Sequence, residues 1–197
     1  MSSPILVFDL GGVLLPFNRQ RRVVAMADAL GLARADVLRF LTSGVAEELD
    51  RGACDLMASA ARMTALAGRP VTPALAKDLW LSVFETPNLA LWDLVARLRA
   101  RTRTYALSDN PSFVSEVFPR QDAFDRVFWS AELGMTKPAS EVFAKISDET
   151  KTAPADITFT DDSAVNVEAA RACGWDAILF TSNAQLLNDL ARRGFRG

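Results

Sequence analysis

From about residue 88 onward, short apolar strands alternate with amphipathic helices. Strands are predicted over residues 104–107, 127–129, 157–160 and 177–180. Helices are predicted over residues 89–101, from Ser112, and over residues 139–147, 164–173 and 184–193. Such alternation produces right-handed βαβ units, whose strands lie parallel in one sheet. The chain is therefore expected to have an α/β fold with a parallel sheet at its core.

The first strand is separated from the others by a long helical segment. Residues Ile5–Phe8 are all apolar, which predicts a fully buried strand of the same sheet. Amphipathic patterns follow over residues 19–30, 34–42 and 53–67, and a fourth helix is predicted to begin at Thr72-Pro73. We therefore expect a core domain of residues 1–15 and 87–197 and an inserted four-helix domain of residues 16–86. Four charged residues of the insertion are candidates to face a ligand, although a solvated helix face is the expected arrangement: Glu47, Glu48, Asp50 and Arg51.

The composition excludes several classes of function. The formal net charge is −2, so the chain lacks the basic surface typical of nucleic-acid-binding proteins. The amino-terminal apolar run is too short for a signal peptide or a membrane span, which favours a cytoplasmic protein without a membrane partner. Because the chain contains no histidine, a Ser-His-Asp triad, a Cys-His pair and a histidine-ligated zinc site are excluded. Any chemistry must rely on carboxylates, lysine, hydroxyl groups and a metal ion.

Polar residues follow four of the predicted strands, in one case after a short loop. They are Asp9, Ser108-Asp109-Asn110, Lys137 and Asp161-Asp162. Taken one at a time, each has a plain structural interpretation as a turn residue, a helix cap or a surface lysine. The carboxyl ends of parallel strands meet at one edge of a sheet, so these groups are expected to converge there. Their conjunction favours a functional site.

These residue types suit a metal-dependent reaction of a phosphate ester. Mg²⁺ prefers hard oxygen ligands, which Asp9, Asp161 and Asp162 can supply. A phosphoryl group needs hydrogen-bond donors, which are available from the Ser108 hydroxyl, the Lys137 ammonium and backbone N–H groups after Asp9. The expected partner is a small phosphorylated metabolite.

Four sequence blocks together resemble one family. They read FDLGGVL at Asp9, ALSDN at Ser108, GMTKP at Lys137 and FTDDSAVNVEAAR from Phe159 to Arg171. The chain resembles the haloacid dehalogenase-like hydrolase superfamily, in the group with a small helical cap after the first strand. The resemblance implies a Rossmann-like parallel sheet core with an inserted four-helix cap. It also implies a phosphatase whose cap closes over the substrate and excludes water.

The resemblance assigns a metal site to the acidic residues. It implies that Asp9 is the nucleophile and forms an aspartyl-phosphate, which water then hydrolyses. Mg²⁺ would be held by the Asp9 carboxylate, the backbone carbonyl of Gly11 and Asp162, with Asp161 as a ligand or just behind one. Asn166, a helical turn beyond Asp162, is expected to support this arrangement.

The resemblance also assigns residues to the substrate. Ser108 would bind the phosphate, and Lys137 would stabilise the nucleophile and the charge of the transition state. Asp109 and Asn110 are expected to contact the rest of the substrate. Gly12 would let the backbone approach the phosphate closely.

One position departs from the family pattern. Most phosphatases of the family carry an acid–base aspartate two residues after the nucleophile, where this chain has Gly11. Its loss is expected to cost on the order of 10² to 10⁴ in rate for a poor leaving group. We therefore expect a preference for sugar 1-phosphates, acyl phosphates or aryl phosphates, whose leaving oxygens are more acidic.

Two other functions stay open at this point. A hydrolytic 2-haloacid dehalogenase would use Asp9 on carbon, and Gly11 would be no handicap because halide leaves without a proton. That reaction needs no metal, however, and gives Asp161 and Asp162 no purpose. A non-catalytic binding protein of the same fold is the other alternative, and Gly11 is the feature that favours it.

Overall fold

A computed structural model describes residues 4–195 and contains one parallel five-stranded sheet. The strands are β1 (Ile5–Phe8), β2 (Thr104–Ser108), β3 (Arg126–Trp129), β4 (Ile157–Asp161) and β5 (Asp176–Leu179). Their order across the sheet is β3-β2-β1-β4-β5, so β1 is central. The strand order reverses at β1, which opens a crevice at the carboxyl ends of β1 and its two neighbours. The predicted α/β class and parallel sheet are confirmed.

Helices cover both faces of the sheet. They are α6 (Leu89–Arg99), α7 (Ser130–Leu133), α8 (Ser140–Thr150), α9 (Ala164–Ala172) and α10 (Asn183–Arg192), with a 3₁₀ helix at Ser112–Val117. Leu6 and Phe8 of β1 pack with α6 and α10 on one face, while Ile5 and Val7 pack with α8 and α9 on the other. The central strand is therefore buried on both sides, as an uninterrupted apolar run predicts.

The insertion forms its own layer of helices. These are α1 (Arg19–Leu30), α2 (Arg34–Phe40), α3 (Ala46–Asp50), α4 (Leu56–Ala67) and α5 (Pro73–Leu81). Their apolar side chains form a separate cluster around Met26, Met63 and Trp80. The sequence predicts four helices here, whereas the described residues contain five. Between α2 and α3 the chain makes a π-helical turn over Leu41–Val45, where Gly44 has φ of 94° and breaks the α-helical course.

Capping explains where two of these helices begin. The Asn18 side chain accepts a hydrogen bond from the backbone N–H of Gln20 at the start of α1. Thr72 caps α5 in the same way by accepting from Leu75, and Pro73 occupies the first turn. The predicted start at Thr72-Pro73 is therefore confirmed.

The inserted helices contact the sheet domain at the end of α3. The Ser130 hydroxyl donates a hydrogen bond to the backbone carbonyl of Asp50. Beside it, Gly52 lies so close to the carbonyl of Ala131 that a side chain there would clash. This contact fixes the position of Asp50 relative to the sheet edge.

No helix within residues 4–195 is long and apolar enough to cross a membrane. Residues 1–3 and 196–197 of the predicted core domain lie outside the described residues. The cytoplasmic location, and the division into domains at residues 15–16 and 86–87, stay predictions.

Candidate active site

Three carboxylates meet at the carboxyl ends of the adjacent strands β1 and β4. Asp9 follows β1 directly, Asp161 ends β4, and Asp162 is the next residue. One oxygen of each lies within 4.8 Å of one oxygen of the others. Asp9 and Asp161 are buried, whereas Asp162 is exposed. Close carboxylates repel one another, so the cluster requires positive charge.

Lys137 supplies part of that charge. Its Nζ donates to Asp9 Oδ1 at 2.6 Å and to Asp161 Oδ2 at 2.8 Å. A third hydrogen bond, at 3.3 Å, goes to the backbone carbonyl of Leu107. The lysine side chain is only 2% exposed, so the ammonium is held in one position by three acceptors.

The two neighbouring aspartates have different surroundings. Asp161 accepts from the backbone N–H of Ser163, from the Asn166 amide and from Lys137. Asp162 accepts no hydrogen bond from another described side chain, and it lines a cavity. Asp161 is therefore committed to protein donors, while Asp162 is directed to whatever occupies the cavity.

The charges in the cluster depend on one another. Burial raises the pKa of Asp9 and Asp161 adds to the effect, while the Lys137 ammonium opposes it. Burial lowers the pKa of Lys137, but the attraction of Asp9 and Asp161 outweighs this and leaves that pKa raised. Burial and the charge of Asp161 also raise the pKa of Asp162. A cation at the cluster would favour the ionised form of all three carboxylates.

Of the other predicted residues, some line the cavity and Ser108 does not. Gly11, Asp109 and Asn110 line the cavity beside Asp9. Asp109 also accepts a hydrogen bond from the backbone N–H of Lys137 at 3.0 Å, so it positions the lysine loop. Ser108 is fully buried and its hydroxyl accepts from Asn110 at 3.0 Å. Its role in binding phosphate stays a prediction.

Gly12 is required by the position of Asp162. The residue has φ of +73°, and an added Cβ would overlap the Asp162 carboxylate. We expect Gly12→Ala to displace that carboxylate and to weaken Mg²⁺ binding by about 10- to 100-fold, as measured by calorimetric titration. Gly31→Ala is the matched control, because Gly31 has φ of +68° with no atom near its Cβ position. Equal Mg²⁺ affinities in the two variants would remove Asp162 from the metal site.

A cavity of about 630 Å³ opens between the carboxylate cluster and the inserted helices. On the helical side it is lined by Arg19, Arg22, Leu38, Leu41, Thr42, Glu47 and Asp50. Of the four charged residues named from the sequence as candidates to face the substrate, Glu47 and Asp50 line this cavity, whereas Glu48 and Arg51 do not. A second groove, of about 670 Å³, runs along α8 and contains none of the three carboxylates.

Asp50 is the titratable group of the inserted helices with the largest rise in pKa. Burial raises this pKa to about 7; Arg22 acts against the shift, and Asp109 and Glu47 add to it. The unfolded chain releases this proton near pH 4, so the folded state loses stability as the pH rises from about 4 to 7. We expect Asp50→Asn to be more stable than the wild type by about 1 to 3 kcal/mol at pH 8, and equally stable below pH 4.

Urea unfolding at both pH values measures this difference. Asp28→Asn, an exposed substitution on α1, is the control and is expected to leave the free energy of unfolding unchanged. A destabilised Asp50→Asn variant at pH 8 would mean that the carboxylate is well paired rather than poorly solvated.

The amino-acid sequence is similar to those of known hydrolases. A family model described as haloacid dehalogenase-like hydrolase matches residues 4–174. The chain is 31% identical over 183 residues to a D-ribitol-5-phosphate phosphatase of Bacteroides thetaiotaomicron, covering 87% of this chain and 88% of that protein. It is 25% identical over 182 residues to a sesquiterpene phosphatase of Aspergillus oryzae, covering 90% and 89% of the two chains.

The fold is shared with a solved enzyme structure. A haloacid dehalogenase family enzyme of Bacteroides thetaiotaomicron, in complex with magnesium and inorganic phosphate, superposes with a TM-score of 0.83. The identity is 22%, and the match covers 94% of this chain and 99% of that one. At this identity the match supports the architecture alone.

Proposed function

This chain is a member of the haloacid dehalogenase-like hydrolase family, and on that basis we propose that it is a Mg²⁺-dependent phosphomonoester hydrolase. The observation that carries the proposal is the convergence of Asp9, Asp161 and Asp162, with ligand oxygens within 4.8 Å. Lys137 contacts the first two of these carboxylates. The proposed substrate is a small phosphorylated metabolite that binds in the adjacent cavity.

The carboxylate cluster suits a hard divalent cation. Mg²⁺ would be held by the Asp9 carboxylate, the backbone carbonyl of Gly11 and Asp162. Asp161 would orient the metal ligands rather than bind the ion, because its oxygens already accept hydrogen bonds from Ser163, Asn166 and Lys137. When bound, Mg²⁺ supplies positive charge opposite the phosphoryl oxygens.

Asp9 is the proposed nucleophile. Its Oδ1 accepts the hydrogen bond from Lys137, which leaves Oδ2 for attack. The bond from Oδ2 to phosphorus forms as the ester P–O bond breaks; the leaving oxygen keeps the electron pair of that bond and takes a proton from water, which gives the free alcohol. Water then attacks the phosphorus of the aspartyl-phosphate, which restores the Asp9 carboxylate and releases inorganic phosphate. Throughout, Lys137 orients Asp9 and faces the charge on the transferred group.

Gly11 restricts the leaving groups that this mechanism tolerates. Without a side chain at that position, the leaving oxygen must obtain its proton from water. We propose that sugar 1-phosphates and aryl phosphates, whose leaving oxygens are more acidic, are hydrolysed about 10²-fold faster than primary alkyl phosphates. The Bacteroides relative is named for a primary alkyl phosphate, D-ribitol 5-phosphate, and the relative rates on glucose 1-phosphate and ribose 5-phosphate test this preference.

Phosphate release from a panel of esters, with Mg²⁺ and with EDTA, tests the proposed function. The panel contains glucose 1-phosphate, ribose 5-phosphate and p-nitrophenyl phosphate, together with 2-chloropropionate as a dehalogenase substrate. We expect Mg²⁺-dependent phosphate release that EDTA abolishes. Metal-independent chloride release would identify a dehalogenase. Release of neither phosphate nor chloride from any of these substrates would favour a binding protein.

A further inference from the structure

Arg22 lies on the helical side of the cavity with unused hydrogen-bonding capacity. Its guanidinium stacks over the Trp80 ring, 4.7 Å from the ring centre, and its Nη2 donates to the Trp80 carbonyl at 2.9 Å. Its Nε is buried and has no hydrogen-bond partner within residues 4–195. The stacking holds the guanidinium at the cavity wall, where it needs an acceptor.

Asp50 lies on the same wall and also lacks a partner. Its carboxylate accepts no hydrogen bond from any described residue, although the side chain is half-buried and lines the cavity. Its backbone is anchored, because the carbonyl of Asp50 accepts from the Ser130 hydroxyl and Gly52 rests against Ala131. The backbone of Asp50 is therefore held in place, and its carboxylate has no hydrogen-bond donor among the described residues.

The two side chains are close enough to attract each other but do not form an ion pair. Arg22 is the main charge that stabilises the ionised form of Asp50. Within the described residues, no side-chain nitrogen of Arg22 lies within 4.0 Å of an Asp50 carboxylate oxygen. An arginine and a carboxylate thus line the same cavity, and neither is the other's hydrogen-bond or ion-pair partner.

We propose that Arg22 and Asp50 form a recognition subsite for a hydroxyl group of the substrate, so that the enzyme prefers phosphorylated polyhydroxy compounds. A hydroxyl is the group that fits, since it accepts from the guanidinium and donates to the carboxylate at once. A methylene in the same place would leave two charged groups without partners, and a substrate carboxylate would be repelled by Asp50. This inference rests on the proposed phosphatase function.

The subsite lies beside the phosphate-binding end of the cavity. Asp109 lies on the sheet side and positions the Lys137 loop, and its negative charge raises the pKa of Asp50. Arg19 lies one helical turn before Arg22, and its positive charge opposes the rise in the pKa of Asp162. Helix α1 thus presents one arginine towards the carboxylate cluster and one towards the proposed hydroxyl site.

Two phosphate esters of equal length separate hydroxyl recognition from phosphate recognition. Ribitol 5-phosphate and n-pentyl phosphate have the same five-carbon chain and differ in their hydroxyl groups. Each is measured as a competitive inhibitor of p-nitrophenyl phosphate hydrolysis at pH 8 with Mg²⁺. We expect the inhibition constant of ribitol 5-phosphate to be at least about tenfold lower than that of pentyl phosphate.

Substitution of either side chain should remove this preference. In Arg22→Met and in Asp50→Asn we expect the ratio of the two inhibition constants to fall to within about threefold of unity. Arg21→Gln is the matched control: Arg21 is exposed on the same helix and does not line the cavity, so the ratio should stay at the wild-type value. If Arg22→Met does not fold, Asp50→Asn decides the question, since it is expected to be more stable than the wild type at pH 8.

The outcomes distinguish this inference from the proposed function. If the wild type releases no phosphate from p-nitrophenyl phosphate, the phosphatase proposal itself fails. If the wild type is active but binds the two esters equally, or if both variants keep the wild-type ratio, the hydroxyl subsite is wrong.

Discussion

Asp9→Asn should reduce Mg²⁺-dependent phosphate release by on the order of 10⁴-fold or more, because an amide cannot attack phosphorus as a carboxylate does. The substitution keeps the size of the side chain, so the buried position remains filled. It also removes one of two carboxylates that share Lys137, which lowers the repulsion with Asp161. The folded structure should therefore persist while activity is lost.

Steady-state phosphate release and acid-quenched mass spectrometry together measure this effect. The wild type should carry one phosphoryl group on the Asp9 peptide during turnover, and Asp9→Asn should carry none. Asp28→Asn on the surface of α1 is the control and should behave as the wild type. Activity above a tenth of the wild-type value in Asp9→Asn would exclude Asp9 as the nucleophile.

The sheet edge could be predicted because local patterns determine it. Each strand is recognisable as a short apolar run, and parallel strands present their carboxyl ends together. Asp9, Lys137, Asp161 and Asp162 therefore converge in the structure although up to about 150 residues separate them in sequence. For the three aspartates, the end of a predicted strand was enough; Lys137 lies beyond the short helix α7 that follows β3, and the GMTKP block pointed to it.

The inserted helices were harder to interpret because their packing partners are distant in sequence. Arg22 belongs to α1, for which the sequence predicts only an amphipathic helix; in the structure it stacks on Trp80 and lines the cavity. Asp50 lies in a charged run for which a solvated face was expected, and it is half-buried. Helical periodicity identifies an apolar stripe, but it does not tell which polar residues at its border face a second domain.

One further difference has a local cause. The helix predicted over residues 34–42 ends early, because Gly44 adopts a left-handed conformation and the chain restarts as α3. Ser108 is the last residue of β2, fully buried, and its hydroxyl accepts a hydrogen bond from Asn110, so its expected contact with phosphate stays a prediction.

Lys137→Met should cost both activity and stability, for one electrostatic reason. The ammonium is the shared partner of Asp9 and Asp161, and both carboxylates are buried. Removing one partner of a buried ion pair typically costs about 3 to 5 kcal/mol, because the remaining charge stays unpaired. Phosphate release should fall by about 10²- to 10³-fold, since the charge of the transferred group loses a positioned donor.

Urea unfolding with Mg²⁺ and with EDTA measures the stability part of this prediction. Mg²⁺ should recover part of the lost free energy, because a cation at the cluster offsets the same repulsion. Lys145→Met is the matched control: Lys145 is exposed on α8 and pairs with Glu149 at 3.5 Å, so its loss should cost less than about 1 kcal/mol.

The double variant Lys137→Met/Asp161→Asn separates the structural role of Lys137 from its catalytic role. Asp161→Asn removes one of the two unpaired charges and keeps acceptor capacity for Ser163, so most of the lost stability should return. Activity should stay low, because nothing in the double variant replaces the positive charge beside Asp9. If activity returned together with stability, Lys137 would act only by holding the fold, and the transferred phosphoryl group would have to be stabilised by other donors.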